Sequence, residues 1–245
     1  MKRRQTAVSL LVCVASALTA PSRSEEVTLG QSVEGRPLTA RVHGPEDAPE
    51  TLLIVASIHG TEPAGTPLVE RLEAWMKGHP KEWGGKRIVI VPVANPDGYA
   101  KRERFNVHGV DLNRNFPADN RTEHTTHGDA PLSEPESRAL MRALRTYNPS
   151  RVVSLHQPID CIDYDGPGEA LAQAMSDAID GRLPVKKLGG RPGSMGSYVG
   201  ETLGKPIITV EFPRYAEKRS TDELWDDYGA ALVAFIRGVP DNQQD

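Results

Sequence analysis

The sequence is poor in cysteine, has no long apolar run beyond its first residues and has no excess of basic charge. Its two cysteines are Cys13 and Cys161, and if Cys13 leaves with a leader segment, Cys161 remains alone and no internal disulfide can form. Acidic residues outnumber basic ones by 33 to 29, so the chain lacks the positive field of a nucleic-acid-binding protein. Apolar residues at 38% and charged residues at 25% are typical of a globular domain with a buried core.

The first twenty residues differ from the rest of the chain. A basic start, MKRR, precedes the short apolar run TAVSLLVCVASALTA, and small residues offer cleavage after Ala17 or Ala20. This pattern is typical of a secretory signal peptide and is too short for a membrane-spanning helix. We predict a signal peptide over 1–20, one globular domain over 21–245 and a periplasmic or secreted protein with no membrane span after cleavage. An uncleaved membrane anchor is the alternative. Loss of the three basic residues of the leader takes the formal net charge from −4 to −7.

Strand-like and helix-like segments alternate through the remaining chain. Short strands are expected around a Gly-Arg-Pro turn near residue 36, and capping boxes at Ser133–Glu136 and Ser220–Glu223 mark the starts of two helices. This alternation predicts an α/β fold, a single domain with a mixed, mostly parallel twisted sheet and helices on both faces. Further strands are predicted over 51–57, 87–93, 151–156 and 206–212, and helices over 66–77, 133–147, 168–181 and 220–238.

Residues that bind metals follow three of the predicted strands. His59 and Glu62 come after the first, His156 ends the third and Glu211 lies at the carboxyl end of the fourth. Catalytic zinc takes three protein ligands, commonly two histidines and one carboxylate, and keeps one position open. A polar turn, a hydrogen-bonded histidine and a surface carboxylate would leave the same pattern, so the residues alone leave both interpretations open. The remaining histidines lie in polar segments and are predicted to be solvated: His43, His79, His108, His124 and His127.

A long polar segment between the second strand and the next helix adds further motifs. It contains NPDG from Asn95 to Gly98 and GVDLNRNFP from Gly109 to Pro117. Together with HGTE, SLH and TVEFP, these motifs appear in the order found in the zinc carboxypeptidase family, which the chain resembles from about residue 32 to residue 235. Within that family the sequence is most similar to the murein peptide amidase branch, which cleaves the bond between γ-D-glutamate and meso-diaminopimelate in cell-wall peptides.

The resemblance implies a single Zn²⁺ bound by His59, Glu62 and His156. It also implies that Glu211 is the general base, which takes a proton from water and passes it to the leaving amine. The fold implied is that of the zinc carboxypeptidases, with the whole of 21–245 as the catalytic domain.

The resemblance also implies substrate-binding residues. Arg104 would polarise the scissile carbonyl, and Asn113 and Arg114 would hold the free carboxylate at the end of the peptide. Digestive members of the family use a tyrosine about twenty residues before the catalytic glutamate, where this sequence has none. Tyr198 and Ser197, the latter closing a GSMGS stretch of small residues, are predicted to lie in the substrate pocket.

We therefore predict an exported zinc amidase that acts on murein peptides. The alternatives are a zinc carboxypeptidase acting on ordinary peptide C-termini, a zinc deacylase of N-acyl amino acids, and an inactive module that binds murein peptides. The expected partner is a small peptide with a free C-terminal carboxylate, and the sequence leaves the oligomeric state open.

Overall fold

Seven strands form one mixed sheet in the computed structural model, which describes residues 24–239. The sheet order is β1-β2-β4-β3-β5-β7-β6; β4, β3, β5 and β7 run parallel, whereas β1, β2 and β6 pair antiparallel with their neighbours. The signal peptide predicted over 1–20 lies outside the described residues. The strands are β1 Ser24–Gln31, β2 Pro37–His43, β3 Glu50–Ala56, β4 Lys86–Val91, β5 Arg151–His156, β6 Ile159–Asp165 and β7 Ile207–Pro213.

Helices cover both faces of the sheet and bury two apolar cores. The helices are α1 Gly65–Gly78, α2 Pro80–Trp83, α3 Pro96–Lys101, α4 Pro135–Tyr147, α5 Glu169–Asp177, α6 Met195–Ser197 and α7 Thr221–Arg237. One core contains side chains of α1, α5 and α7, and the other contains those of α4 with Phe116 and Met195. Within 24–239, no helix is both long and apolar enough to cross a bilayer. The predicted α/β architecture is confirmed.

The parallel central strands bring their carboxyl ends to one edge of the sheet. β3, β5 and β7 are buried nearly throughout, as expected of strands covered on both faces. In the register of β5 and β7, His156 lies directly beside Glu211. The edge therefore collects the polar residues that follow three separate apolar strands, where open α/β sheets place their ligands.

Three local predictions were wrong. α4 begins at Pro135 with Glu134 as its N-cap and without a capping bond, because the Ser133 hydroxyl donates to the Glu134 side chain instead. α5 ends at Asp177, about one turn before the predicted end at Gly181. His43 is not solvated: it closes β2, is buried and contacts the Glu73 carboxylate. The capping box from Ser220 to Glu223 is confirmed.

Candidate metal centre and active site

His59, Glu62 and His156 converge at the carboxyl edge of the sheet. Each offers a ligand atom, and these atoms all lie within 4.8 Å of one another. His59 Nδ1 lies 2.9 Å from Glu62 Oε1, and His156 Nδ1 lies 2.9 Å from Glu62 Oε2. All three side chains are buried, so two imidazoles and one carboxylate face one small volume from which bulk water is largely excluded.

The turn that carries His59 and Glu62 depends on small residues for close packing. Gly60 lies against α3 and the residues that follow it, and a Cβ atom there would be only 2.0 Å from the Gly98 carbonyl carbon. Gly65, the first residue of α1, packs against Leu155 of β5, where an added Cβ would lie 2.8 Å from the leucine Cβ. Glycine is therefore required at both positions so that β3, β5 and the 95–104 segment can meet around the two ligands.

Both imidazoles are fixed by a hydrogen bond at the ring nitrogen that faces away from Glu62. His59 Nε2 lies 2.9 Å from Asp111 Oδ1, and His156 Nε2 lies 2.9 Å from Ser154 Oγ. A carboxylate that accepts from the outer nitrogen of a histidine fixes the tautomer and makes the inner nitrogen a better metal ligand. Asp111 lies in the GVDLNRNFP motif, but sequence analysis gave it no role because its contact depends on the path of the loop.

The electrostatics of the three groups fit a bound cation. His59 Nδ1 is buried and makes no hydrogen bond within the described residues, because its approach to Glu62 lacks hydrogen-bond geometry. Burial tends to raise the pKa of Glu62, but its contacts with His156 and His59 outweigh burial and the pKa is lowered. Glu62 is thus ionised at neutral pH, and the set supplies the two-histidine, one-carboxylate ligands of a catalytic zinc site. The predicted zinc ligands therefore meet as expected.

Glu211 lies beside the ligand set without belonging to it. It projects from β7 next to His156, is 8% exposed and accepts a weak hydrogen bond of 3.4 Å from Ile159 N. Burial raises the pKa of its carboxyl, although the neighbouring His156 opposes the shift. A carboxylate of raised basicity next to a metal site is suited to accept a proton.

Three guanidinium groups line the same cavity, which has a volume of about 210 Å³. Arg104 donates to Glu62 Oε1 at 2.6 Å and is 42% exposed, so a substrate can reach it. Arg114 is partly buried, and burial lowers its pKa together with the repulsion of Arg104 and Arg191. Asn113 also lines the cavity, and its side-chain oxygen accepts from Met195 N, which leaves its NH₂ group for a ligand. Arg104, Asn113 and Arg114 are thus brought together as predicted.

Ser197 and Tyr198 lie behind the cavity wall rather than on it. In the described part of the chain, the wall near them is formed by Ser194 and Gly196. The Ser197 hydroxyl is buried and donates to the Arg191 carbonyl oxygen, and the Tyr198 ring stacks on Phe116 at 6.3 Å between centroids. The prediction that these two residues contact substrate is therefore not supported by their positions.

Replacement of Asp111 tests the support of the metal site. The contact with His59 lowers the pKa of the Asp111 carboxyl to about 2 despite burial, so Asp111 is an ionised acceptor. In Asp111→Asn, a neutral amide oxygen takes its place beside His59. We expect zinc affinity to fall about 10–100-fold, as is typical for such outer-shell partners. Competition with a chromogenic chelator measures the change, and Asp47→Asn, at an exposed remote position, is the matched control. Unchanged affinity in Asp111→Asn would show that the contact does not support metal binding.

Comparisons with known proteins agree with this geometry. A family profile described as zinc carboxypeptidase matches residues 12–165, a range that includes the three candidate ligands and ends before Glu211. Murein peptide amidase A of Escherichia coli (strain K12) is 34% identical over 232 residues, which is 86% of this chain and 89% of the relative. The Vibrio campbellii protein of the same name is 31% identical over 86% of this chain and 87% of its own length.

Solved structures show the same fold. The crystal structure of murein-tripeptide amidase MpaA from Escherichia coli O157 matches with a TM-score of 0.66 and 30% identity, covering 88% of this chain and 93% of that one. Carboxypeptidase A of Helicoverpa armigera matches with a TM-score of 0.72 at 20% identity, over 87% of this chain and 68% of its own, which bears on the fold alone.

Proposed function

Since the chain belongs to the zinc carboxypeptidase family, we propose that it hydrolyses the γ-D-glutamyl–meso-diaminopimelate bond of murein peptides after export from the cytoplasm. The chain is a zinc hydrolase similar to the murein peptide amidases over most of its length. The observation that carries the proposal is the convergence of the ligand set, Glu211 and guanidinium groups in one cavity. An inactive binding module has no use for a complete ligand set beside a free carboxylate.

The chain's own residues supply the proton transfer and the binding of the peptide. Zinc held by His59, Glu62 and His156 would lower the pKa of water that binds to it and polarise the substrate carbonyl. Glu211, buried beside His156, takes the proton from the attacking water and delivers it to the leaving amine. Arg104, whose exposed guanidinium contacts Glu62, would polarise the scissile carbonyl.

The cationic end of the cavity fits a peptide with a free C-terminal carboxylate. Arg114 can form the bidentate pair that a planar guanidinium makes with a carboxylate, and the Asn113 NH₂ group lies next to it. In a murein tripeptide, diaminopimelate is the last residue, so its α-carboxylate is free. Repulsion among Arg104, Arg114 and Arg191 is relieved when such an anion binds.

A substrate panel tests the proposed activity. We expect the zinc-loaded protein to release diaminopimelate from L-Ala-γ-D-Glu-meso-diaminopimelate. We also expect cleavage to be at least about 100-fold slower when the α-carboxylate of diaminopimelate is amidated, since the partly buried Arg114 guanidinium then loses its partner. Release is measured by chromatography of the free amino acid. Cleavage of standard α-linked peptides alone would establish the ordinary carboxypeptidase, and cleavage of N-acyl amino acids alone would establish the deacylase.

Export is proposed from the leader pattern of the first twenty residues. Cell fractionation with an antibody against the chain distinguishes a periplasmic or secreted protein from one that stays in the cytoplasm. Mass spectrometry of the purified protein should give an N-terminus at Pro21, or at residue 18 if cleavage follows Ala17. An intact Met1 in the cytoplasmic fraction would contradict export.

A further inference from the structure

Two buried carboxylates occupy the end of the cavity beyond Glu211, and the proposed mechanism does not use them. Asp163 and Asp165 line the same cavity as His59 and Glu211 and are 6% and 4% exposed. In the antiparallel register of β6 and β7, Cys161 faces Glu211, Asp163 faces Thr209 and Asp165 faces Ile207. Alternation along a strand places both acids on the face that carries Glu211, about 7 and 13 Å farther along the sheet.

The two acids differ in their hydrogen bonds. Asp163 Oδ1 accepts from Leu188 N at 2.8 Å. Asp165 Oδ1 is fully buried, and within residues 24–239 no donor reaches it. Leaving a buried carboxylate oxygen without a donor destabilises the fold, so such groups in native structures call for an explanation. An incoming donor supplied by a ligand is one such explanation.

Two glycines make room for the Asp165 carboxylate. A Cβ atom at Gly196 would lie 2.5 Å from Asp165 Oδ2, and one at Gly200 would lie 2.3 Å from Asp165 Cβ. Any larger residue at either position would displace the aspartate from the cavity wall. Gly196 belongs to the GSMGS stretch of small residues, and leaving space for this carboxylate is its physical role.

The fixed charges around Asp165 do not neutralise it. Burial, with the nearby Asp163 and Glu201 carboxylates, raises the pKa of Asp165 to about 6, and Lys187 only partly opposes this. The Lys187 ammonium donates to the Tyr164 carbonyl oxygen and lies 4.1 Å from the centre of the Tyr164 ring. Arg191, which also lines the cavity, and Lys187 oppose the raised pKa of Asp163, but within residues 24–239 neither forms a salt bridge with Asp165. The cavity therefore has a cationic end at Arg114 and an anionic end at Asp165.

We propose that Asp165, assisted by Asp163, binds the ammonium group at the far end of the released residue's side chain and so selects a C-terminal diamino acid. This inference rests on the proposed function, because it assumes that Arg114 holds the α-carboxylate of that residue. A side chain that extends from there along β6 carries its amine toward the unpartnered oxygen. Three methylene groups separate the two amino-acid centres of diaminopimelate, so its distal amine can extend well away from the α-carboxylate.

A pair of matched substrates tests the inference by activity. The second tripeptide ends in L-2-aminopimelate, which keeps the distal carboxylate of diaminopimelate and lacks only the distal amine. We expect the wild-type protein to prefer the diaminopimelate peptide at least about 100-fold in kcat/KM, since an analogue without the donor leaves the buried acid unpaired. Asp165→Asn should reduce this preference below tenfold, with the loss confined to the diaminopimelate peptide. Equal rates for the two peptides in wild type, or an undiminished preference in Asp165→Asn, would overturn the inference.

Binding of the free amino acids separates this inference from the proposed activity. By calorimetry, the zinc-loaded protein should bind meso-diaminopimelate at least tenfold more tightly than L-2-aminopimelate, and Asp165→Asn should abolish the difference. If no murein peptide is cleaved but this difference is found, the proposed activity fails and the ammonium site stands. If peptides are cleaved and the two amino acids bind equally, the site is wrong and the activity stands.

Thermal stability distinguishes a binding role from a structural one. Because the pKa of Asp165 is raised to about 6 in the folded protein, ionisation above pH 6 destabilises the fold, and the penalty vanishes below the ordinary pKa near 3.8. The melting temperature of Asp165→Asn without ligand should exceed that of wild type by roughly 3–6 °C at pH 8 and by much less at pH 4. Asp226→Asn, at an exposed position of α7, should change neither value. A lower melting temperature in Asp165→Asn at pH 8 would show that the aspartate is structural and would overturn the inference.

Discussion

Replacement of Glu211 by glutamine should lower kcat by about 10²–10⁴-fold while zinc remains bound at one ion per chain. Glutamine has the size of glutamate, and its side-chain oxygen can still accept from Ile159 N, so the packing on β7 is preserved. The lost property is basicity, since an amide cannot take a proton from water at neutral pH. Because Glu211 stands outside the three-residue ligand set, the metal should be unaffected. Steady-state rates on the tripeptide and metal analysis of the same preparation measure the two quantities.

A matched variant controls for loss of a negative charge. Glu70→Gln removes a carboxylate from the exposed side of α1, where Glu70 lies 3.8 Å from Arg41 and far from the carboxyl edge of the sheet. It should retain wild-type rates. If Glu211→Gln remained active, the base would be another group. If Glu211→Gln lost its zinc, Glu211 would be a metal ligand, and its assignment as the general base would be wrong.

The sheet and the ligand set could be predicted because they depend on local patterns. Apolar runs in β3, β5 and β7 are bounded by polar residues, and parallel strands bring their ends to one edge whatever the path of the connections. His156 ends β5, and His59 and Glu62 lie in the short turn between β3 and α1. Strand direction brings these residues to one edge, but the residues alone did not decide between a metal site and a polar turn, and the ligand set was inferred from the resemblance to the zinc carboxypeptidases.

The parts that could not be predicted depend on long-range contacts. The acidic residues of β6 are more typical of an exposed loop than of a buried strand. Asp165 is buried because β6 pairs with β7, and that pairing is not visible in the local sequence. Asp111 supports His59 only because its loop folds back across 52 positions of sequence. His43 is buried because Glu73 of α1 reaches it, and no signal near either residue indicates that contact.

The position of Ser197 also depends on contacts with residues outside its own motif. Its hydroxyl turns to the Arg191 carbonyl oxygen and to Asn120, which closes the loop before α6 rather than the cavity. From the sequence, a small polar residue such as Ser197 could equally line the cavity or hydrogen-bond to the backbone behind the cavity wall. The neighbouring Gly196 lines the cavity together with Ser194, and it leaves space for the carboxylate of Asp165.

Removal of a zinc ligand should abolish activity by abolishing metal binding. In His156→Ala the site keeps only His59 and Glu62, and we expect zinc affinity to fall on the order of 10³-fold or more, with activity below detection at micromolar zinc. Zinc at 100 times its dissociation constant stabilises the wild-type fold by about 2.7 kcal/mol, so the melting temperature should rise by roughly 5–10 °C. That rise should be absent in His156→Ala. Scanning calorimetry with and without zinc measures it independently of turnover.

Chelation and a second histidine complete the argument for His156. A chelator should remove wild-type activity, and added zinc should restore it, whereas zinc should restore nothing in His156→Ala. His79→Ala removes an exposed imidazole at the end of α1 that stacks on Trp75, far from the ligand set, and it should keep both the activity and the zinc-dependent rise in melting temperature. Glu62 contacts both His59 and His156, as expected if the three residues share one ion. If the zinc-dependent rise in melting temperature survived in His156→Ala, the ion would be held by groups other than these three.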